Sequence, residues 1–322
     1  MMIGRRLEGE TAVGIFRNRS AGTETPDSHL TFFSVSTADE FRAATRQVFA
    51  ELGYEVDVYP DHAVDGAGRK FGFWNIAAVC QSEPQQVWPE LIRAHLQRLL
   101  TGFEAPDPFQ VLSPSDIPGR TFARLYEESV VPELDGHPHR KFAPGVMEML
   151  ALDLPDTVAV FRHENARAHG GWESLRKQGM ANLHGLDVER LENMTPPEGG
   201  TVTALIGESF YTASRALLLP GLATELTGRH IREDYGWLMC IPNRHQVAWH
   251  VIEDSSVIGA VSGMARFAAA GYTNSPGPLS PHVFWSNGSG YEQLTHVSDD
   301  GGLQVRVGPA FQAVLESVMA AP

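Results

Sequence analysis

The apolar positions change period several times along the chain, and the fullest run of changes lies between Tyr235 and Tyr272. Leu238 to Ile241 form a short apolar run, Pro242 and Asn243 punctuate it, and Val247 to Ile252 resume a strand pattern. Asp254-Ser255-Ser256 then offers an N-cap. Val257, Val261, Met264 and Ala268 follow at i, i+4, i+7 and i+11, a helical stripe that closes at Gly271. Gly259, Ala260 and Gly263 keep this helix thin, so its backbone is expected to lie close to a sheet.

The rest of the chain is read in the same way. Leu30 to Val35 is a β-rich run, and Thr37 and Glu40 have the spacing of a capping box. The helix they open carries Phe41, Ala44, Val48 and Leu52 on one face and stops at Gly53. Tyr54, Val56 and Val58 alternate with polar neighbours, and Asp65-Gly66-Ala67-Gly68 turns into a strand through Phe71 and Phe73. Trp88, Leu91, Ile92, His95, Leu96 and Leu99 make a full apolar stripe, with His95 expected as a hydrogen-bonded core histidine. Gly102 to Arg120, broken by Pro106, Pro108, Pro114 and Pro118, reads as a linker. Beyond it, strands are expected at Phe122 to Tyr126, on either side of Pro155-Asp156, at Leu186 to Leu191 and at Thr201 to Ile206. Helices are expected around Trp172 to Leu183, over Ala213 to Leu219 and from Pro309 to Met319, and a hairpin about Asn287-Gly288.

Strands joined by short turns and interleaved with helices predict an α+β fold. Its sheets should be mostly antiparallel, built from strand-turn-strand-helix units with helices packed on one face. The expected organisation is a loose N-terminal arm over residues 1–27, an α+β subdomain over 28–118 and a C-terminal α+β domain over 119–322.

Composition narrows the function classes. At 322 residues with 43% hydrophobic and 20% charged positions, the chain can bury proper cores. Its formal charge of −14 argues against nucleic acid or an anionic membrane as a general partner, because either needs a basic face. No stretch reaches the roughly 20 apolar residues of a membrane span. No signal peptide is read at the N-terminus. Cys80 and Cys240 lie inside apolar runs as small core residues, so a cytoplasmic, reducing setting is expected, and the glycosylation triplets at Asn18, Asn193 and Asn287 carry no meaning there.

Complete catalytic constellations are missing from the pattern. His137-Pro138-His139 would chelate only if a third ligand such as Asp135 folded back, and exposed loop histidines are the simpler reading. Gly207-Glu208-Ser209-Phe210-Tyr211 follows a strand as a nucleophile elbow does, but Tyr211 stands where the elbow needs glycine, and a plain helix start is simpler. Gly66-Ala67-Gly68 with Gly72 misses the dinucleotide spacing. What remains is a binding edge: Asn243, Arg244 and His245 at one turn, with Ser214 and Arg215 opening a helix elsewhere in the same half.

The segments FGFWNIAAVCQSEPQQVWPELIRAHLQRLL, ARLYEESVVPEL, LALDLPDTVAVF, SFYTASRALLLPGL, GWLMCIPNRHQVAWHVI and PGPLSPHVFW stand in an order that resembles a group of uncharacterised actinobacterial proteins, similar to the YtpQ-type family of unknown function. The resemblance runs from about Leu30 to Leu294 and is most specific at Ala213-Ser214-Arg215, Ile241 to His245 and Leu279-Ser280-Pro281. It implies an α+β cytoplasmic protein and supplies no catalytic residues. The expected function is a non-catalytic binding or interaction module for a protein or peptide, with no cofactor and no metal, and with homo-oligomerisation left open. The alternative is an enzyme whose site gathers His245, Arg244, Arg215 and Glu208 from distant positions.

Overall fold

Ser34, three residues earlier than the sequence pattern suggests, begins the first helix. Helix α1 (Val35–Glu51) has Ser34 at its N-cap, whose hydroxyl accepts the Thr37 N–H, and the residues before it turn back instead of extending as a strand. Asp27 accounts for that turn: its carboxylate accepts the N–H groups of His29 and Leu30 and pairs with Arg42 at 2.9 Å. The computed structural model describes residues 25–155, 157–231, 234–297 and 303–320, so most of the expected N-terminal arm, with Asn18, lies outside the described residues, as does Asp156 of the Pro-Asp turn.

Three short strands follow as an antiparallel meander: β1 (Val56–Val58), β2 (His62–Asp65) and β3 (Lys70–Gly72), with β3 at an edge. Helices α2 (Trp74–Gln81) and α3 (Trp88–Glu104) complete this N-terminal unit. The sequence pattern does not reveal α2, because Ile76 to Cys80 are apolar throughout and show no helical period. Phe41, Phe49, Phe71, Phe73 and Trp88 fill the centre of the unit, none more than 4% exposed. Two single turns, α4 (Pro108–Val111) and α5 (Ile117–Arg120), lead away from it, and Ile117 is fully buried against Leu150, Leu152 and Phe161.

A four-stranded sheet comes next, made of β4 (Thr121–Glu127), β5 (His139–Ala143), β6 (Val146–Asp153) and β7 (Val158–Val160). β6 is central, and β4 pairs with it along its whole length while leaving its other side to its neighbours. Helices α6 (His163–Ala168) and α7 (Gly171–His184) pack here. Gly179 admits the close crossing of α7 and β4, since a Cβ there would stand 2.5 Å from the Ala123 backbone nitrogen.

The largest sheet has six strands: β8 (Arg190–Met194), β9 (Val202–Ile206), β10 (Trp237–Cys240), β11 (Gln246–Val251), β12 (Val283–Ser286) and β13 (Glu292–Gln293), in the order β13-β12-β10-β11-β9-β8. A 3-10 segment (Ala213–Leu218) and helix α8 (Gly221–Thr227) lie between β9 and β10, helix α9 (Val257–Asn274) follows β11, and a small hairpin of β14 (Thr295–Val297) and β15 (Leu303–Val305) precedes helix α10 (Pro309–Ala320). Every described strand pair is antiparallel, so the α+β architecture holds as the pattern implies.

Period-2 alternation divides the core of this sheet. Leu238, Cys240, Ala248 and Val283 pack with α9 and α10, whereas Trp237, Met239, Val247 and Trp249 pack on the other face with the 3-10 segment, α8 and residues Leu125, Ala143 and Val146 of the smaller sheet. The stripe Val257, Val261, Met264 and Ala268 does face the sheet. The glycines of α9 serve a different contact: a Cβ at Gly259 would meet the Glu198 carbonyl at 2.3 Å, and one at Gly263 would meet Pro196 at 2.2 Å. They admit a loop, and the helix rests on the sheet through its small and branched side chains.

Candidate binding cleft

The turn between β10 and β11 is held from three directions. Asn243 is fully buried; its amide donates to Gln246 Oε1 at 3.0 Å and to the Gly271 carbonyl at 3.1 Å, and its Oδ1 accepts the His245 N–H. The Arg244 N–H donates to the Gly277 carbonyl at 2.8 Å, and the Arg244 carbonyl accepts from Ala213 N. Gly277, at φ +68°, is required here in both senses: its backbone is left-handed, and a Cβ would strike Arg244 Cδ at 2.6 Å. This glycine therefore makes the bed for the arginine stem.

Arg244 is half-buried and has no carboxylate partner among the described residues. Its guanidinium lies over the Phe210 ring, 4.3 Å from the centroid, and its Nε–H donates to His245 Nε2 at 2.9 Å. His245 Nδ1 in turn donates to the Gly207 carbonyl at 3.1 Å. Both ring nitrogens are thus engaged and the tautomer is fixed, and burial with the neighbouring Arg244 keeps the imidazole below its usual pKa and neutral. Burial and the nearby Arg124 likewise pull the Arg244 guanidinium downward.

Arg124, on β4, is the second cation of this place. It stacks over Tyr126 at 4.8 Å, and neither its Nε nor the Tyr126 hydroxyl, both buried, has a hydrogen-bond partner among the described residues. The partly buried Arg42, Arg69 and Arg176 behave differently, each closing on a buried carboxylate, of Asp27, Asp65 and Glu148 respectively. Arg124 and Arg244 stand between two cavities of about 860 and 510 Å³ and line both, as does Asn75. Together the cavities make one cleft between the N-terminal unit and the body. Beside Arg244, where the lobes meet, the two units are tied by the Trp74 indole, which donates to the Ser275 carbonyl, and by Asn75, which accepts from Gly277 N.

The larger lobe carries Lys70, Trp74 and Tyr272 together with Asp61 and Glu127, whose carboxylate accepts the Tyr272 hydroxyl; the smaller carries Glu208, His245, Arg98 and His95. His95 is half-buried on the cleft wall with no hydrogen-bond partner among the described residues, where the sequence leads one to expect a hydrogen-bonded core histidine. Burial and the charges of Arg98 and Arg244 push its pKa down to about 4.

The remaining candidates separate from the cleft. Ser214 is buried and its hydroxyl accepts the Leu125 N–H at 3.0 Å, a structural brace. Arg215 is buried, donates to the Asp187 carbonyl at 3.2 Å and borders a void of about 10 Å³, room for one water. No elbow forms at Ser209: its hydroxyl accepts the Tyr211 N–H, and the Glu189 carboxylate takes the backbone of 208 and 209. The His137 ring bonds the Phe161 carbonyl, and no group of three His, Cys, Asp or Glu side chains able to hold a metal occurs among the described residues. Arg124 escapes the sequence reading because a lone arginine in an alternating strand looks like any solvent-facing position; only its place opposite Arg244 marks it.

Fold and site together define an α+β protein with an arginine-lined cleft between two units. No family model, no curated protein and no solved structure matches the chain. No helix among the described residues is long and apolar enough to cross a membrane.

Proposed function

We propose that this chain is a non-catalytic binding module that holds an acidic segment of a protein or peptide partner in the cleft. The observation that carries the reading is the pair Arg124 and Arg244, two half-buried cations lining a cleft without carboxylate partners among the described residues, where the half-buried Arg42, Arg69 and Arg176 each pair with a carboxylate, in a chain of net charge −14. Burying a cation without a counter-charge is unfavourable, so an arriving carboxylate recovers interaction energy that the free protein lacks. The stacked rings of Phe210 and Tyr126 hold both guanidinium planes in place, which limits the ordering cost of binding.

The enzyme alternative loses its best base, because His245 has no ring nitrogen left for substrate. His95 has free nitrogens, but at a pKa near 4 it is a weak base at neutral pH. Two buried free thiols, Cys80 and Cys240, support a reducing compartment as the site of action. The YtpQ-type likeness belongs to this reading only through the order of its segments.

Calorimetric titration with acetylated hexaglutamate at low salt tests the reading. Binding should weaken as salt rises and should fall at least about tenfold in the Arg124→Gln, Arg244→Gln double variant, a change of about 1.4 kcal/mol. Silence from the wild-type protein, or equal affinity in the double variant, refutes it.

A further inference from the structure

Resting on that reading, we infer that the ligand is an extended acidic peptide that enters as an added strand along the free edge of β3. The register fixes which groups are free there. Phe73 N donates to Asp61 O and Asp65 N donates to Arg69 O, while Ala63 stands opposite Phe71. Hydrogen-bonded pairs alternate in an antiparallel ladder, so residues 69, 71 and 73 turn their backbone groups toward β2, and Lys70 and Gly72 turn theirs outward. Lys70 and Gly72 are the two residues of β3 that line the larger lobe of the cleft, and no partner for their outward N–H groups occurs among the described residues.

Cleft shape and edge chemistry select the same kind of ligand. The two arginines sit where the lobes meet, so a molecule that uses both lobes must be long enough to pass them. A strand presents N–H and C=O groups at the spacing that Lys70 and Gly72 offer, and its alternate side chains point one way, toward one wall of the cleft. A compact anion satisfies the arginines and leaves the edge unused. Short strands bearing lysine are also a common protection against unwanted pairing. Under the proposal the exposed Lys70 instead adds attraction for an acidic chain.

The probe is fluorescein-labelled Glu-Val-Glu-Val-Glu-Val-amide, measured by anisotropy against the full chain. Two analogues carry N-methyl groups on all valine amides or on all glutamate amides. One set should lose at least about tenfold in affinity and the other stay within about threefold, because only alternate amides meet the edge. Gly72→Pro removes one outward N–H and should abolish binding, whereas Gly72→Ala should bind normally, since a Cβ there meets nothing within 4 Å. If Gly72→Pro fails to fold, the methylation pattern alone decides. Equal affinities or equal losses in the two methylated sets overturn the strand proposal while leaving the anionic cleft intact. Hexaglutamate binding with a silent Glu-Val peptide does the same. Silence of both peptides overturns the proposal and the reading beneath it together.

Discussion

Arg215 and Arg244 lie in the same half of the chain, both partly or wholly withdrawn from water and both without a carboxylate partner among the described residues, yet they belong to different kinds of place. Arg215 ends in the interior: it is 3% exposed, bonded to a backbone carbonyl and enclosed by a void that fits one water. Arg244 ends in a cleft, flattened on Phe210, bonded only to a neutral imidazole, with cavities on both sides. Burial of a cation is therefore not by itself a mark of function. What distinguishes the two is whether the unspent hydrogen-bonding capacity faces protein or open space.

The sharpest way to separate them is to shorten each. Arg215→Ala removes a buried stem and leaves a cavity, so it should destabilise the fold by about 2–4 kcal/mol, read as a lowered denaturant midpoint with an unchanged slope. Arg215→Met keeps the volume and should stay within about 1 kcal/mol of wild type or exceed it, because a charge without a counter-ion contributes little to folding. A large loss in Arg215→Met would mean that the guanidinium itself is needed. Next in size is Asn243→Ala, which breaks two hydrogen bonds inside the turn that positions Arg244 and a third that ties the turn to the Gly271 carbonyl of α9. It should cost about 1–3 kcal/mol and weaken acidic-peptide binding as well, so that stability and binding move together. Arg244→Gln should uncouple them: binding falls about tenfold, while the melting temperature stays level or rises as repulsion from Arg124 is relieved. A melting loss as large as that of Arg215→Ala would place Arg244 among the structural arginines and sink the comparison.

How much of the fold and the cleft the sequence carries depends on the kind of signal. The strand-turn-strand-helix unit from Tyr235 onward, the α3 stripe and the hairpin about Asn287 were legible because local periodicity and turn residues carry them. Helix α2 and the start of α1 were not, the first because an evenly apolar run has no period, the second because Asp27 and Ser34 cap the turn through contacts that alternation does not encode. Of the site residues singled out, the turn at Asn243 to His245 does reach the cleft, while Ser214 and Arg215 serve packing. Arg124 and His95 were invisible as a pair because they come from a strand and a helix that meet Arg244 only through tertiary contact.

The smallest effect, and the most diagnostic of a cleft awaiting an anion, is in pH. His95 faces Arg98 on its own helix and Arg244, Arg124, Glu208 and the neutral His245 across the smaller lobe. Its folded pKa of about 4 lies below the ordinary histidine value of 6.5. The unfolded chain therefore binds more protons between those values, and folding stability should rise with pH through this window and level off above it. His95→Gln should flatten that slope. A bound carboxylate reverses the local sign, since it offsets the two arginines that repel the imidazolium and raises the His95 pKa. Binding then takes up a proton, and hexaglutamate affinity should increase severalfold as the pH falls from about 7 toward 5.5, before the ligand's own carboxylates protonate near 4.3. An affinity that is flat over that range, or equally pH-dependent in His95→Gln, would show that the acidic chain does not occupy the smaller lobe, leaving the arginines to hold it from the Lys70 side alone.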